Sequence, residues 1–100
     1  MQTLTIELQE GFRDDAVVIR VNGSDIMRED HVKTRTQIGF AAAATATVPE
    51  GAATLDVTLP AAGTSGNFAA DVQGPTWVGV SLDDKRVPHF KLSQTPFGYV

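Results

Sequence analysis

Cysteine is absent from the 100 residues. That absence removes disulfides, thiolate-ligated zinc, a cysteine nucleophile and thiol redox chemistry together. Nor does any stretch approach the ~20 consecutive apolar residues of a membrane span. The opening Met1-Gln2-Thr3-Leu4-Thr5-Ile6-Glu7-Leu8 has neither the basic start nor the apolar segment of a secretory signal. Positive charge is scarce, with 8 Lys and Arg against 12 Asp and Glu, a formal net of −4. This sign repels phosphate and counts against nucleic acid and anionic membranes as partners. Lys33 and Arg35 would share a strand face, but two charges read as a solvated face. The expectation is a cytoplasmic protein of one domain, residues 1–100, able to bury roughly two-thirds of its unfolded surface and so to stand without staples.

What is present is a run of short alternating segments. Asn22-Gly23 lies between Val17-Val18-Ile19-Arg20-Val21 and Ser24-Asp25-Ile26-Met27-Arg28. A two-residue hairpin turn needs positive φ at both central positions, which Asn tolerates and Gly adopts freely. In a tight hairpin Ile19 would face Ile26. Asn22-Gly23-Ser24 also fits a glycosylation sequon, but without an export signal the turn reading is preferred. Leu4, Ile6 and Leu8 alternate with polar residues, as do Leu55, Val57 and Leu59, then Phe68, Ala70 and Val72, then Val78, Val80 and Leu82. Arg28-Glu29-Asp30-His31 reads as a polar corner, and alternation resumes from Val32 to Ile38. The Ala-rich run Phe40–Val48 admits a helix over residues 36–46. Gly39, the β-branched threonines and the lack of charged i, i+4 pairs favour a strand, with Phe40, Ala42, Ala44, Ala46 and Val48 on one face. Ala61–Gly66 reads as a small-residue loop. The last strand, Val87–Leu92, would carry Phe90 and Leu92 inward, and Pro88, lacking an amide donor, places it at an edge. Seven or eight short strands with turns every 8–12 residues predict an all-β, antiparallel β-sandwich, immunoglobulin-like or transthyretin-like.

The residues Val17-x-Ile19-x-Val21-Asn22-Gly23, then Val48-Pro49-Glu50-Gly51 and Leu55-x-Val57-x-Leu59, carry a resemblance. This pattern is similar to the strand-turn-strand pattern of PEGA and other transthyretin-like sandwich modules, over roughly residues 17–60. Here the spacing between the halves is longer, and the aromatic expected after the second strand is missing. The resemblance implies a sandwich, and such modules are typically accessory or interaction domains.

Candidate chemistry is sparse. His31 and His89 are the acid-base candidates near neutral pH, but no His-x-His or His-Glu-x-x-His spacing accompanies them. Gly63-Thr64-Ser65-Gly66 lacks the Gly-x-Ser-x-Gly elbow and the lysine of a phosphate loop. Asp14-Asp15, Glu29-Asp30 and Asp83-Asp84 mark corners; Asp14, Asp15, Asp83 and Asp84 would converge on calcium if their corners shared one end. Acids are equally at home in turns, where they accept from nearby amides. Trp77 falls opposite the Val78–Val80–Leu82 face and would offer an indole platform to a sugar or peptide, unless a bulge at Gly79 turns it inward. The tail at residues 94–100, with Phe97 and Tyr99, either folds back as a closing strand or docked tail or is presented to a partner. The expectation is a non-enzymatic interaction or accessory module. It would hold a protein partner or a second copy through the edge near Val87–Leu92 or through Trp77, Phe97 and Tyr99. A carbohydrate or calcium binder is the alternative; no residue set nominates a cofactor or a reaction.

Overall fold

The computed structural model describes residues 1–99. They form β1 (Gln2–Leu8), β2 (Arg13–Val21), β3 (Ser24–Lys33), β4 (Ala42–Val48), β5 (Gly51–Leu59), β6 (Thr64–Val72), β7 (Thr76–Leu82) and β8 (Pro88–Ser93). No helix long and apolar enough to cross a membrane occurs among the described residues. Two four-stranded sheets, ordered β4-β1-β7-β8 and β3-β2-β5-β6, make an all-β sandwich. Their inward residues alternate along each strand and meet in one core, in which Leu4, Ile6, Leu8, Ile19, Leu55, Val57, Val72, Val78 and Val80 are fully buried. Edge lies over edge: β4 packs against β3 at one side and β8 against β6 at the other. At that second side Phe68 stacks on Phe90 with centroids 5.4 Å apart.

One ladder departs from antiparallel pairing: β1 runs parallel to β7, from Leu4 opposite Thr76 to Leu8 opposite Val80. The first and second strands lie in different sheets, whereas an immunoglobulin sandwich keeps strands A and B together.

The Ala-rich run is strand β4, with Ala42, Ala44 and Ala46 inward and Ala43, Thr45 and Thr47 outward. Several local features differ from the sequence reading. Asn22, with φ +50°, and Gly23, with φ +83°, do form the hairpin turn. A bulge follows it, so Ile19 pairs with Met27 and Ile26 is the extra residue. Arg28–His31 is no corner but the charged middle of β3, because an edge strand tolerates charge along its solvent side. Alternation stops at Lys33, since the chain must cross to the other sheet; Arg35 and Phe40 close a turn instead. The loop after Pro60 is shorter than its small residues suggest, and Thr64, Ser65 and Gly66 already belong to β6. Leu92 follows the inward phase of Pro88 and Phe90 yet stays exposed. Only the first half of β8 is roofed, by Gly66 and Phe68 of β6.

Candidate interaction surface

The outer face of the first sheet is built in rows. Thr45, Thr5, Trp77 and Ser93 lie side by side across β4, β1, β7 and β8. The next row is Ala43, Glu7, Gly79 and Lys91. Small residues at two positions of that row leave a shallow trough, and side chains from elsewhere fill it. Gln9, just past β1, folds over Gly79 so closely that an added Cβ would lie 2.6 Å from its amide oxygen. The Tyr99 hydroxyl accepts from Gln9 Nε2 at 3.1 Å and donates to Glu7 Oε1 at 2.9 Å. Its ring meets Phe40 edge-on, centroids 5.0 Å apart. Lys91 Nζ stands 5.9 Å from the Phe97 ring centre, within cation–π range.

The three aromatics singled out in the sequence therefore share one face. Two of them are already engaged by their own chain, so Phe97 and Tyr99 are half-buried. Residues 94–99 dock on this face without forming the closing strand that was the other expectation, and the tail's last residue, Val100, lies outside the described residues. Trp77 is half-buried on the outer face, and both ladders of β7 run through Gly79 without a bulge. Glu7 and Gln9 were not legible as site residues: by alternation Glu7 points to solvent, and only the returning tail covers it. The one available signal was the apolar character of the tail itself.

Burial raises the Tyr99 phenol above its ordinary value of 10.0, opposed by the Gln9 amide and assisted by the Glu7 carboxylate. A raised folded value means a contribution fully present below about pH 10 and lost as pH rises through the shifted titration. Tyr99→Phe removes the donor from Glu7, a side chain only 8% exposed. The expected loss is about 1 kcal/mol at neutral pH, or a Tm lower by ~4–8 °C. The gap between the two proteins should shrink above pH 10. A gap that widened there, in melts followed by circular dichroism, would contradict this account.

The four edges of the sandwich are protected unequally. β3 carries Asp25, Arg28, Glu29, Asp30, His31 and Lys33 and is broken by register shifts. β8, the edge expected to bind, starts at Pro88 and carries His89 and Lys91. β6 is evenly paired but carries the exposed Asp71, opposite Ala52 of β5. β4 has seven residues, AAATATV, in unbroken register with β1, and none is charged. Among the described residues, no hydrogen bond of a side chain, turn or loop reaches residues 42–48. Charge, proline and bulges are the usual devices against edge pairing, and β4 has none of them.

The acid-base candidates are held apart. His31 Nδ1 lies 2.7 Å from Asp14 Oδ1, where both residues occupy positive-φ positions, and His89 Nε2 lies 2.9 Å from Asp83 Oδ2. The His89 ring and the amides of Val87 and Lys85 hold the Asp83 carboxyl below its ordinary value. Neither imidazole hydrogen-bonds to a serine, threonine or lysine among the described residues. The corners at Asp15 and Asp83 do meet at one end, but Arg86 sits between them, paired with Asp15 and donating to the Gly11 carbonyl at 2.7 Å. No three His, Asp or Glu side chains gather as a metal site among the described residues. A cavity of about 500 Å³ opens at this end, lined by Glu10, Phe12, Arg13, Lys33 and Thr34. No protein-family model matches the chain, and no curated protein matches it.

Proposed function

We propose that the protein is a non-enzymatic interaction module whose binding element is the free edge of β4, where a partner segment adds a strand. The observation that carries this reading is the seven-residue, uncharged, evenly paired edge that no side-chain, turn or loop hydrogen bond reaches among the described residues. An edge strand directs alternate N–H and C=O groups outward, and an incoming strand satisfies them while side chains set specificity. The aromatics support the surface without forming the grip: Tyr99 and Phe97 brace the sheet that β4 borders, and Trp77 lies in the Thr45 row. A cytoplasmic setting is part of the proposal.

Thr45 and Thr47 are exposed on β4, so lysine at both places leaves the core untouched. Native protein and Thr45→Lys/Thr47→Lys, both confirmed folded, should differ at least tenfold in capture of a partner from native lysate. A partner held equally by both would move the site elsewhere.

A second reading rests on the end cavity, whose size lies in the range of small-ligand sites. A sugar bound there would raise Tm, because binding only the native state stabilises it.

A further inference from the structure

We infer that β4 pairs with β4 of a second copy, antiparallel about a two-fold axis through Thr45, joining two sheets into one of eight strands. This rests on the edge-pairing reading above and names the occupant of that edge. The axis places Thr45 against Thr45, Ala44 against Ala46, Ala43 against Thr47 and Ala42 against Val48. Every residue of the strand is matched, and no charge and no bulky side chain meets its like. Outward threonines face threonine or alanine, a favourable cross-strand pairing. Inward, Ala42, Ala44 and Ala46 face the core yet remain only partly buried, because the sheet stops at them. A second copy would cover that remaining apolar surface with the same residues.

Charge selects this edge among the four. A chain of net charge −4 repels its own copies, so contact is least costly where acids are absent. Self-pairing of β6 would bring the exposed Asp71 of both copies into the contact. Self-pairing of β3 must cross three register shifts and a row of charged side chains. Beside β4 the outward residues of β1 are Thr3, Thr5 and Glu7, and Glu7 lies beneath Tyr99. A two-fold contact uses the same edge on both copies and closes, which limits assembly to a dimer.

The absence of native cysteine makes the test clean. Directly opposed residues in an antiparallel pair have Cα atoms ~4.5–5.5 Å apart, inside disulfide range. Thr45→Cys should therefore cross-link to a covalent dimer under mild oxidation. Thr47→Cys alone should not, since its own copy lies about 13 Å away in this register. A mixture of Thr47→Cys with Ala43→Cys should cross-link. The full native chain should sediment as a monomer–dimer equilibrium that Thr45→Lys shifts at least tenfold toward monomer. A native chain still monomeric at about 1 mM overturns the inference. So does a dimer untouched by Thr45→Lys, or one cross-linked equally well through position 47. If the chain is monomeric but Thr45→Lys/Thr47→Lys loses a lysate partner, the edge reading stands and only the second copy is wrong. If neither self-association nor capture depends on these positions, both fall.

Discussion

Gly11→Ala is expected to cost about 3–5 kcal/mol, a large effect for one methyl group. Gly11 holds φ +91°, and an added Cβ would lie 2.4 Å from the Leu82 carbonyl oxygen and 3.0 Å from Leu82 Cβ. The obstacle is backbone, so no side chain can swing aside. Nor is the turn free to back away: the Leu82 amide donates to the Glu10 carbonyl at 2.9 Å, and Arg86 donates to the Gly11 carbonyl at 2.7 Å. Gly23 provides the contrast. It holds φ +83° with nothing within 4 Å of the added Cβ, so Gly23→Ala carries the backbone strain without the clash. About 1–2 kcal/mol is expected there. Urea unfolding of both variants separates the two terms. Equal losses would mean that the β1–β2 turn yields, and that its packing against β7 is looser than the distances imply.

Ile6→Ala is the second large effect, expected at about 2–5 kcal/mol for the lost transfer energy plus the cavity left behind. Ile6 is fully buried, opposite Ala44 on one side and Val78 on the other. Against a domain stability of ~5–15 kcal/mol this is a substantial fraction, and a Tm lower by ~10–30 °C follows. The site adds a second readout, because among the described residues β1 is the only strand hydrogen-bonded to β4. Amide exchange at Ala42–Val48 should accelerate more than at β5, which is held on both sides by β2 and β6. A loss below 1 kcal/mol, or uniform acceleration, would show that neighbours collapse into the space and that β4 is anchored otherwise.

The architecture was legible because alternation of Leu4, Ile6, Leu8 or Leu55, Val57, Leu59 is a local property that burial merely confirms. The turn at Asn22-Gly23 was likewise written in two residues. The Ala-rich strand was harder, since alanine favours helix on its own and only its context argued otherwise. What escaped were features needing distant partners. Ile26 is expelled from the pairing by a bulge that no residue type announces. The parallel β1–β7 ladder joins segments separated by most of the chain. The candidate surface was half legible: Trp77, Phe97 and Tyr99 do share a face, but Glu7 and Gln9 enter only because the tail returns. The segment Val87–Leu92 does lie at an edge, as β8, but that β4 is a second edge of the same sheet was not legible, because strand order decides which strands lie outermost. β8 carries Pro88, His89 and Lys91, whereas β4 carries neither proline nor charge.

The parallel ladder also sets a timetable. The second sheet draws all its strands from residues 13–72, and its two hairpins close over short turns. The first sheet cannot be completed until β7 returns to β1, with paired residues such as Leu4 and Thr76 lying most of the chain apart. Closing a loop that long precedes any reward from its contacts, which places folding with the slow, non-local β proteins, on the order of milliseconds to seconds. During synthesis, β1 precedes its pairing partners, and of the two strands that flank it in the sheet β4 is made well before β7. The strand that leaves the finished sandwich with a bare edge is thus the one that shelters β1 while the rest of the chain is made.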